Sequence, residues 1–296
     1  SSSAASDVYK RQYLTWPALW DSPKDSFLGS IGKSIDFPMD GKVLFDGISY
    51  ELNELPRSFL PVLLCLQFSE GALSFFIIGL SLALVQIFKR SGEWELLTCF
   101  ALWLFVPIGA VIIYQPTIYD NFRHFLFIIP PIFLFAGVGL QTVLKRFNNL
   151  PFSLVIITAL ILPNIYWNIK LHPYQYTYYN EVVGGVGGAY RYYETDYWAT
   201  SFQEAIEYLN EIAPANSRVV VFGPDHIVAR YARQDLVILP GRKLDYLQPG
   251  VSAYAIVTTR RNRDLDLLSA TPEIFWVGRD GAKFAIIKQL YPSQSP

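Results

Sequence analysis

The chain carries little charge. Of its 296 residues only 17% are charged, whereas charged residues make up about a quarter of an ordinary soluble domain. The shortfall lies in the middle, where residues 71–169 are mostly apolar, while residues 200–296 have the composition of a soluble domain. This change predicts a membrane-embedded region followed by a soluble domain. A net charge of −1 and the lack of a basic stripe argue against a nucleic-acid partner.

Cysteine and the familiar catalytic motifs are also scarce. The two cysteines, Cys65 and Cys99, lie in apolar surroundings without metal or redox spacing, so we predict buried structural thiols. GxSxG, HExxH and CxxC motifs are absent, and the glycine-rich segment 184–188 lacks the strand–loop–helix setting of a phosphate-binding loop. Soluble hydrolase and zinc-enzyme functions are therefore unsupported. We expect no cofactor, and the sequence leaves metal dependence open.

Long apolar runs are what the sequence does contain. An apolar helix of about 20 residues crosses the hydrocarbon core of a bilayer. The sequence predicts four such spans, at 71–88, 96–114, 122–144 and 150–167. Pro130 and Pro131 should kink the third span, because proline removes a helical hydrogen bond. The apolar segment 58–69 is too short to cross, so it is predicted to be interfacial or re-entrant.

Basic residues predict the orientation of these spans. Lys89–Arg90 and Lys145–Arg146 lie in the two short loops between spans one and two and between spans three and four. Such loops face the cytoplasm by the positive-inside rule. The loop 115–123 and everything after residue 170 are then extracytoplasmic. Arg123 is an exception to this rule, because it is a basic residue in a predicted outer loop. An ionisable residue near the membrane is often functional, so Arg123 is a candidate site residue.

The fold class that follows is a multi-pass α-helical membrane protein with a C-terminal extracytoplasmic α/β domain. Residues 1–12 are expected to be a non-native leader. The predicted regions after it are an extracytoplasmic loop with a hairpin and the interfacial segment (13–70), the transmembrane region (71–169), an aromatic and glycine-rich loop (170–202) and the α/β domain (203–296). Alternating β and α elements in the last region predict a small, partly parallel sheet.

Polar groups gather on the predicted outer face, before the third span and after the fourth. The Arg123 guanidinium is suited to bidentate phosphate contact; the alternative is that it reaches towards lipid headgroups without a specific ligand. His124 is either a second phosphate-binding group or a structural donor. The further candidates for substrate binding are Tyr119, Asp120, His172, Glu194 and Asp196. For Glu194 and Asp196 the alternative is that they bond backbone amides of their own loop.

Three separated segments carry a resemblance to a known family. They are ELPRSFLPVLL at 54–64, YDNFRHFLFIIPP at 119–131, and 172–210, which begins HPYQYTYYNEVVGG. In this order they resemble the C-terminal half of bacterial membrane glycosyltransferases of the family 39-like, protein-mannosyltransferase-related kind, which have the type C fold. The resemblance covers roughly residues 14–215, and the α/β tail is less diagnostic.

The resemblance implies a hexosyltransferase in a bacterial or archaeal plasma membrane. Such enzymes move a sugar from a polyprenyl-phosphate carrier to a lipid, glycan or protein acceptor at the extracytoplasmic face. Arg123 matches the family's arginine that holds the carrier phosphate. The family's catalytic carboxylate lies in a first outer loop that this sequence does not contain, so the chain is expected to be an N-terminally incomplete fragment that is inactive alone.

Two other functions remain open at this stage. The first is a non-catalytic polytopic membrane protein whose outer α/β domain binds a partner or an envelope polymer. The second is a transporter, which would need polar residues in the middle of its spans. The spans here are polar mainly at their outer ends.

Overall fold

The computed structural model describes residues 41–247 and 250–291, with a few positions between 20 and 29. The expected leader at 1–12 and the loop up to residue 40 lie almost entirely outside the described residues. The first element is a hairpin of strands β1 (Lys42–Phe45) and β2 (Ile48–Glu51). Its two turn residues, Asp46 and Gly47, have φ angles of 51° and 76°, the left-handed values that a tight hairpin turn requires. The predicted hairpin is confirmed.

Within the described residues, four helices are long and apolar enough to cross a membrane. A short helix α1 (Phe59–Gln67) precedes them. The four helices are α2 (Glu70–Lys89), α3 (Trp94–Tyr114), α4 (Ile129–Phe147, extended at its start by a 3₁₀ helix Arg123–Ile128) and α5 (Leu150–Lys170). Large apolar side chains such as Phe88, Ile113 and Val155 are exposed on their surfaces. Exposed apolar area on this scale marks an interaction surface, and lipid would cover it. The four predicted spans are confirmed as helices.

The predicted kink at the paired prolines is wrong in position. Pro130 and Pro131 occupy the first turn of α4, where a missing N–H removes no hydrogen bond and the fixed φ suits the helix. The irregular backbone lies earlier, at Phe125, where φ is −111° and ψ is 17°. The prolines therefore begin the α-helix, and the 3₁₀ turn before them carries Arg123 and His124.

Helices α2 and α4 cross in close contact. A Cβ atom added to Gly79 of α2 would lie 1.7 Å from the carbonyl oxygen of Phe135, and one added to Gly139 of α4 would lie 2.2 Å from that of Phe75. Small residues of this kind allow membrane helices to approach closely. Two glycines thus determine how α2 and α4 pack.

The prediction of buried thiols is wrong. Cys65 and Cys99 are both free and exposed, on α1 and α3 respectively. A thiol behaves as a small apolar group, so it is compatible with the outward face of an apolar helix as well as with a core.

The C-terminal region forms a five-stranded mixed sheet in the order β4-β3-β5-β7-β6. Its elements are a short helix α6 (Gly185–Ala189), α7 (Ser201–Ile212), β3 (Arg218–Phe222), α8 (Asp225–Tyr231), β4 (Val237–Pro240), β5 (Ala253–Thr258), α9 (Arg263–Asp266), β6 (Glu273–Arg279) and β7 (Ala282–Tyr291). Strand β3 is parallel to both β4 and β5, and β7 is antiparallel to β5 and β6. The predicted partly parallel sheet is confirmed.

The parallel part of this sheet has a topological switch point. After β3 the chain crosses to β4 on one side and then returns to β5 on the other side. In open α/β sheets, side chains and ligands meet at the carboxyl ends of the strands at such a point. Here the carboxyl end of β5 leads directly into Thr259 and Arg260.

Candidate functional site

The turn before the third span presents its polar residues through an unusual backbone. Asp120 and Asn121 are consecutive residues with φ angles of 53° and 59°. Asp and Asn are the non-glycine residues that tolerate this left-handed region best. The turn places Asp120 and Asn121 inward, at 8% and 4% exposure, and starts the 3₁₀ helix that carries Arg123.

The Arg123 guanidinium is held between an acid and an aromatic ring. It lies 3.1 Å from the carboxylate of Asp120 and is centred 4.9 Å above the ring of Tyr119. The ring of His124 packs edge-on against the ring of Tyr119, with centroids 4.6 Å apart. The ring contact and the ion pair both restrict the guanidinium, so the side chain is preorganised although about a third of its surface is open.

Arg260 is a functional-site residue that sequence reasoning did not single out. From the carboxyl end of β5 it donates to Asp120 at 2.7 Å, to Glu194 at 2.8 Å and to the backbone oxygen of Tyr197 at 3.1 Å. One guanidinium therefore joins the C-terminal domain, the aromatic loop and the turn before α4. Its one sequence signal is its place directly after a buried strand of a parallel sheet.

Glu194 lies in the interior of this cluster. It is 1% exposed, and burial raises the pKa of its carboxyl while the Arg260 guanidinium opposes the rise. Arg261, next in the chain, is also partly buried, and burial together with Arg260 lowers its pKa. Three arginines, including Arg123, thus face two carboxylates, and the cluster has an excess of positive charge.

Asp196 is engaged within its own loop. Its carboxylate accepts hydrogen bonds from the hydroxyls of Tyr176 and Ser201 and from the backbone N–H groups of Thr200 and Ser201. Burial raises its pKa, and these donors lower it. The arrangement braces Tyr176 and the start of α7, while the predicted role of Asp196 in substrate binding stays a prediction.

His172 lies apart from the arginine cluster, just after α5. Its Nδ1 is 3.0 Å from the amide nitrogen of Gln175, and its backbone oxygen accepts a hydrogen bond from Arg279. Gln175 in turn lines the cavity described next. His172 can therefore influence the cavity through Gln175, and its own binding role remains a prediction.

A cavity of about 650 Å³ opens where these elements meet. The residues that line it are Gln67, Asn121, Phe122, Arg123, His124, Leu126, Gln175, Tyr176, Tyr178, Tyr197 and Trp198. None of these described lining residues is acidic. Burial raises the pKa of Tyr178 and of Tyr197 to about 12, so both phenols stay protonated and can donate hydrogen bonds. The cavity, which we call the polar pocket, combines cationic and neutral donors with aromatic walls.

A second cavity of about 600 Å³ lies among α2, α4 and α5. It is lined mainly by apolar and small side chains, among them Phe75, Phe133, Gly137 and Leu160. Gln67, Gln175 and Tyr178 line both this groove and the polar pocket. The two cavities therefore adjoin, and we call the second one the helix groove.

A metal centre is not evident in the described part of the chain. Within residues 41–247 and 250–291, no three or more His, Cys, Asp or Glu side chains are grouped to hold an ion. No family model, curated protein or solved structure matches this chain. Function is therefore inferred from the polar pocket, the helix groove and their charges.

Proposed function

We propose that this chain belongs to a membrane glycosyltransferase that takes a sugar from a polyprenyl-phosphate carrier at the extracytoplasmic face. The observation that carries the proposal is the pairing of two adjoining cavities of opposite character. A cationic pocket without acidic lining residues suits a phosphate, and an apolar groove beside it suits a lipid tail. A lipid phosphate is the ligand class that needs both at once.

The orientation follows from the helix connections. Lys89 and Lys145 lie in the last turns of α2 and α4, at the end of the bundle opposite the polar pocket. With these ends in the cytoplasm, the pocket and the α/β domain lie outside. Polyprenyl-phosphate sugars are used on that side in the family that the sequence resembles.

Arg123 would contribute electrostatic stabilisation of the leaving phosphate. When the glycosidic bond to a phosphate breaks, negative charge builds up on the phosphate oxygens. A guanidinium already fixed by Tyr119 and Asp120 would meet that charge without reorganising, which is the main source of electrostatic catalysis. The general base that deprotonates the acceptor is not assigned to a residue of this chain.

The position of Arg260 bears on the alternative of an independent binding module. In such a module the carboxyl edge of the sheet would be the expected ligand site. Here that edge supplies Arg260 to Asp120 and Glu194. The contacts favour an outer domain that completes the membrane pocket.

The test is donor binding, which requires only residues of this chain. In nanodiscs, the wild-type chain should bind polyprenyl phosphate more tightly than polyprenol, which has the same tail without the phosphate. Arg123→Ala should lower the affinity for polyprenyl phosphate by about tenfold or more, since it removes a charge-assisted interaction, and should leave polyprenol binding unchanged.

Arg146→Ala is the matched control, because it removes a basic residue at the opposite end of the bundle. It should bind both lipids as the wild type does. A wild-type chain that binds the two lipids equally, or an Arg123→Ala variant that keeps the preference for phosphate, would refute the proposal.

A further inference from the structure

Three buried donors at the polar pocket make no well-formed hydrogen bond within the part of the chain that the structure describes. They are the side-chain amide nitrogens of Gln67 and Asn121 and the Nε of Arg123. The acceptor beside the Gln67 amide is the phenol oxygen of Tyr179, which already donates its own proton to the backbone oxygen of Glu194. All three residues line the same cavity. Buried donors are almost always satisfied in native proteins, and each exception calls for an explanation such as a bound group. Three exceptions in one cavity point to one missing acceptor-rich partner.

Asn121 is held rigidly in place. It is 4% exposed and lies in the left-handed turn, directly after Asp120, whose carboxylate Arg260 and Arg123 both bind. The backbone that carries the amide is therefore anchored by two ion pairs. The unsatisfied nitrogen of Asn121 is thus carried by an anchored stretch of backbone.

Gln67 is anchored from the other side of the pocket. It is the last residue of α1, and the carbonyl groups around it are bound by Asn180. The backbone N–H of Asn180 donates to Leu66 at 2.8 Å, and its amide donates to Cys65 at 2.7 Å and to Phe68 at 2.8 Å. These bonds fix the end of α1 and so fix the position of Gln67.

We propose that Gln67 and Asn121 are ligand-binding residues whose amides donate, beside the Arg123 guanidinium, to the oxygens of a phosphate ester. A phosphate presents several strong acceptor oxygens and no donor that must be matched, so it can satisfy several donors of one cavity. Two neutral amides and one cation also suit an anion better than a cation or a metal.

The lipid source of this phosphate rests on the proposed function. Gln67 lines both the polar pocket and the helix groove, so a phosphate bound by its amide has its substituent directed along the groove. The ligand that fits this position is a phosphate carried on a lipid tail. Free inorganic phosphate is the alternative ligand.

The experiment measures dissociation constants for polyprenyl phosphate and polyprenol with the chain in nanodiscs. The variants are Gln67→Met, which keeps the side-chain length, and Asn121→Gly, which keeps the left-handed turn. Each should weaken polyprenyl phosphate binding about tenfold or more, the effect expected for a hydrogen bond to a charged group, and leave polyprenol binding unchanged. Asn121→Asp, which keeps the shape of the side chain, replaces Asn121→Gly if that variant does not fold.

Gln86→Met is the matched control, because it makes the same substitution near the end of α2 at a glutamine that lines neither cavity. This variant should keep the wild-type preference for the phosphate. Unchanged preference in both Gln67→Met and the Asn121 variant would overturn the inference, as would an equal loss of polyprenol binding.

Inorganic phosphate separates this inference from the proposed function. If the wild type prefers polyprenyl phosphate and only Arg123→Ala removes that preference, the proposed function stands and the amide site is refuted. If the wild type shows no lipid preference but binds inorganic phosphate in a way that Gln67→Met abolishes, the amide site stands and the lipid donor is refuted. Absence of both kinds of binding refutes both.

Discussion

At the scale of single residues, Arg260 forms ion pairs with two buried carboxylates. It binds Asp120 and Glu194, and Glu194 is 1% exposed. Removing one partner of a buried ion pair costs about 3–5 kcal/mol, because the other charge stays buried. Arg260→Ala should therefore lower the melting temperature, and adding Glu194→Gln should recover part of the loss. Thermal unfolding in detergent measures both; equal melting temperatures for the single and double variants would contradict this account.

Glu194 should also give the stability a particular pH dependence. Burial raises its pKa in the folded chain above the ordinary value of 4.5. The folded state then holds the proton more tightly than the unfolded state, so this contribution to stability is complete below pH 4.5 and is lost as pH rises through the folded pKa. Glu194→Gln should flatten the melting temperature as a function of pH above 4.5. A profile with the wild-type slope would show that Glu194 does not titrate in this way.

The residues of the site were only partly predictable. Arg123 was predicted because a charged residue at the end of an apolar run can be recognised from the sequence alone. Arg260 did not, because its partners Asp120 and Glu194 lie 140 and 66 positions earlier in the chain. Gln67 and Asn121 have no sequence signal at all, since an unsatisfied amide becomes visible only once its neighbours are in place.

At the scale of elements, the membrane helices were predictable and their packing was not. Apolar length is a local property, so the four helices follow from hydropathy. The crossing of α2 and α4 depends on Gly79 and Gly139 meeting across two separate helices. The same limit explains the misplaced proline kink, because whether Pro130 breaks a helix or begins one depends on where the preceding turn ends.

The α2–α4 crossing yields a stability prediction. An alanine at Gly79 would place its Cβ 1.7 Å from the carbonyl oxygen of Phe135, so the two backbones must separate. Gly79→Ala should lower stability by about 1–3 kcal/mol, the usual effect of overpacking, as measured by thermal unfolding in detergent.

Gly137 of α4 is the control for that substitution. A Cβ there meets nothing within 4 Å. Gly137→Ala should be neutral or slightly stabilising, because alanine favours a helix over glycine. If Gly79→Ala proved as stable as Gly137→Ala, the close crossing would not be the contact that holds α2 and α4 together.

At the scale of the whole molecule, the C-terminal domain contacts the turn that precedes α4, through Arg260 and Asp120. Besides Arg260, a bidentate pair between Arg191 and Asp264 ties the aromatic loop to the sheet domain. The glycine-rich segment allows a close approach, since a Cβ at Gly187 would lie 2.4 Å from the backbone oxygen of Asp280 in the β6–β7 turn. The glycines thus serve domain packing, which composition alone could not distinguish from a flexible loop.

The most direct test of the central claim is a cryo-EM structure of the chain in nanodiscs with polyprenyl phosphate. The account predicts phosphate density within about 3 Å of the Arg123 guanidinium, the distance of a charge-assisted hydrogen bond. The lipid tail should lie in the groove among α2, α4 and α5. Density for the phosphate at the opposite end of the bundle, beside Lys145 and Arg146, or a tail outside the helix groove would contradict it.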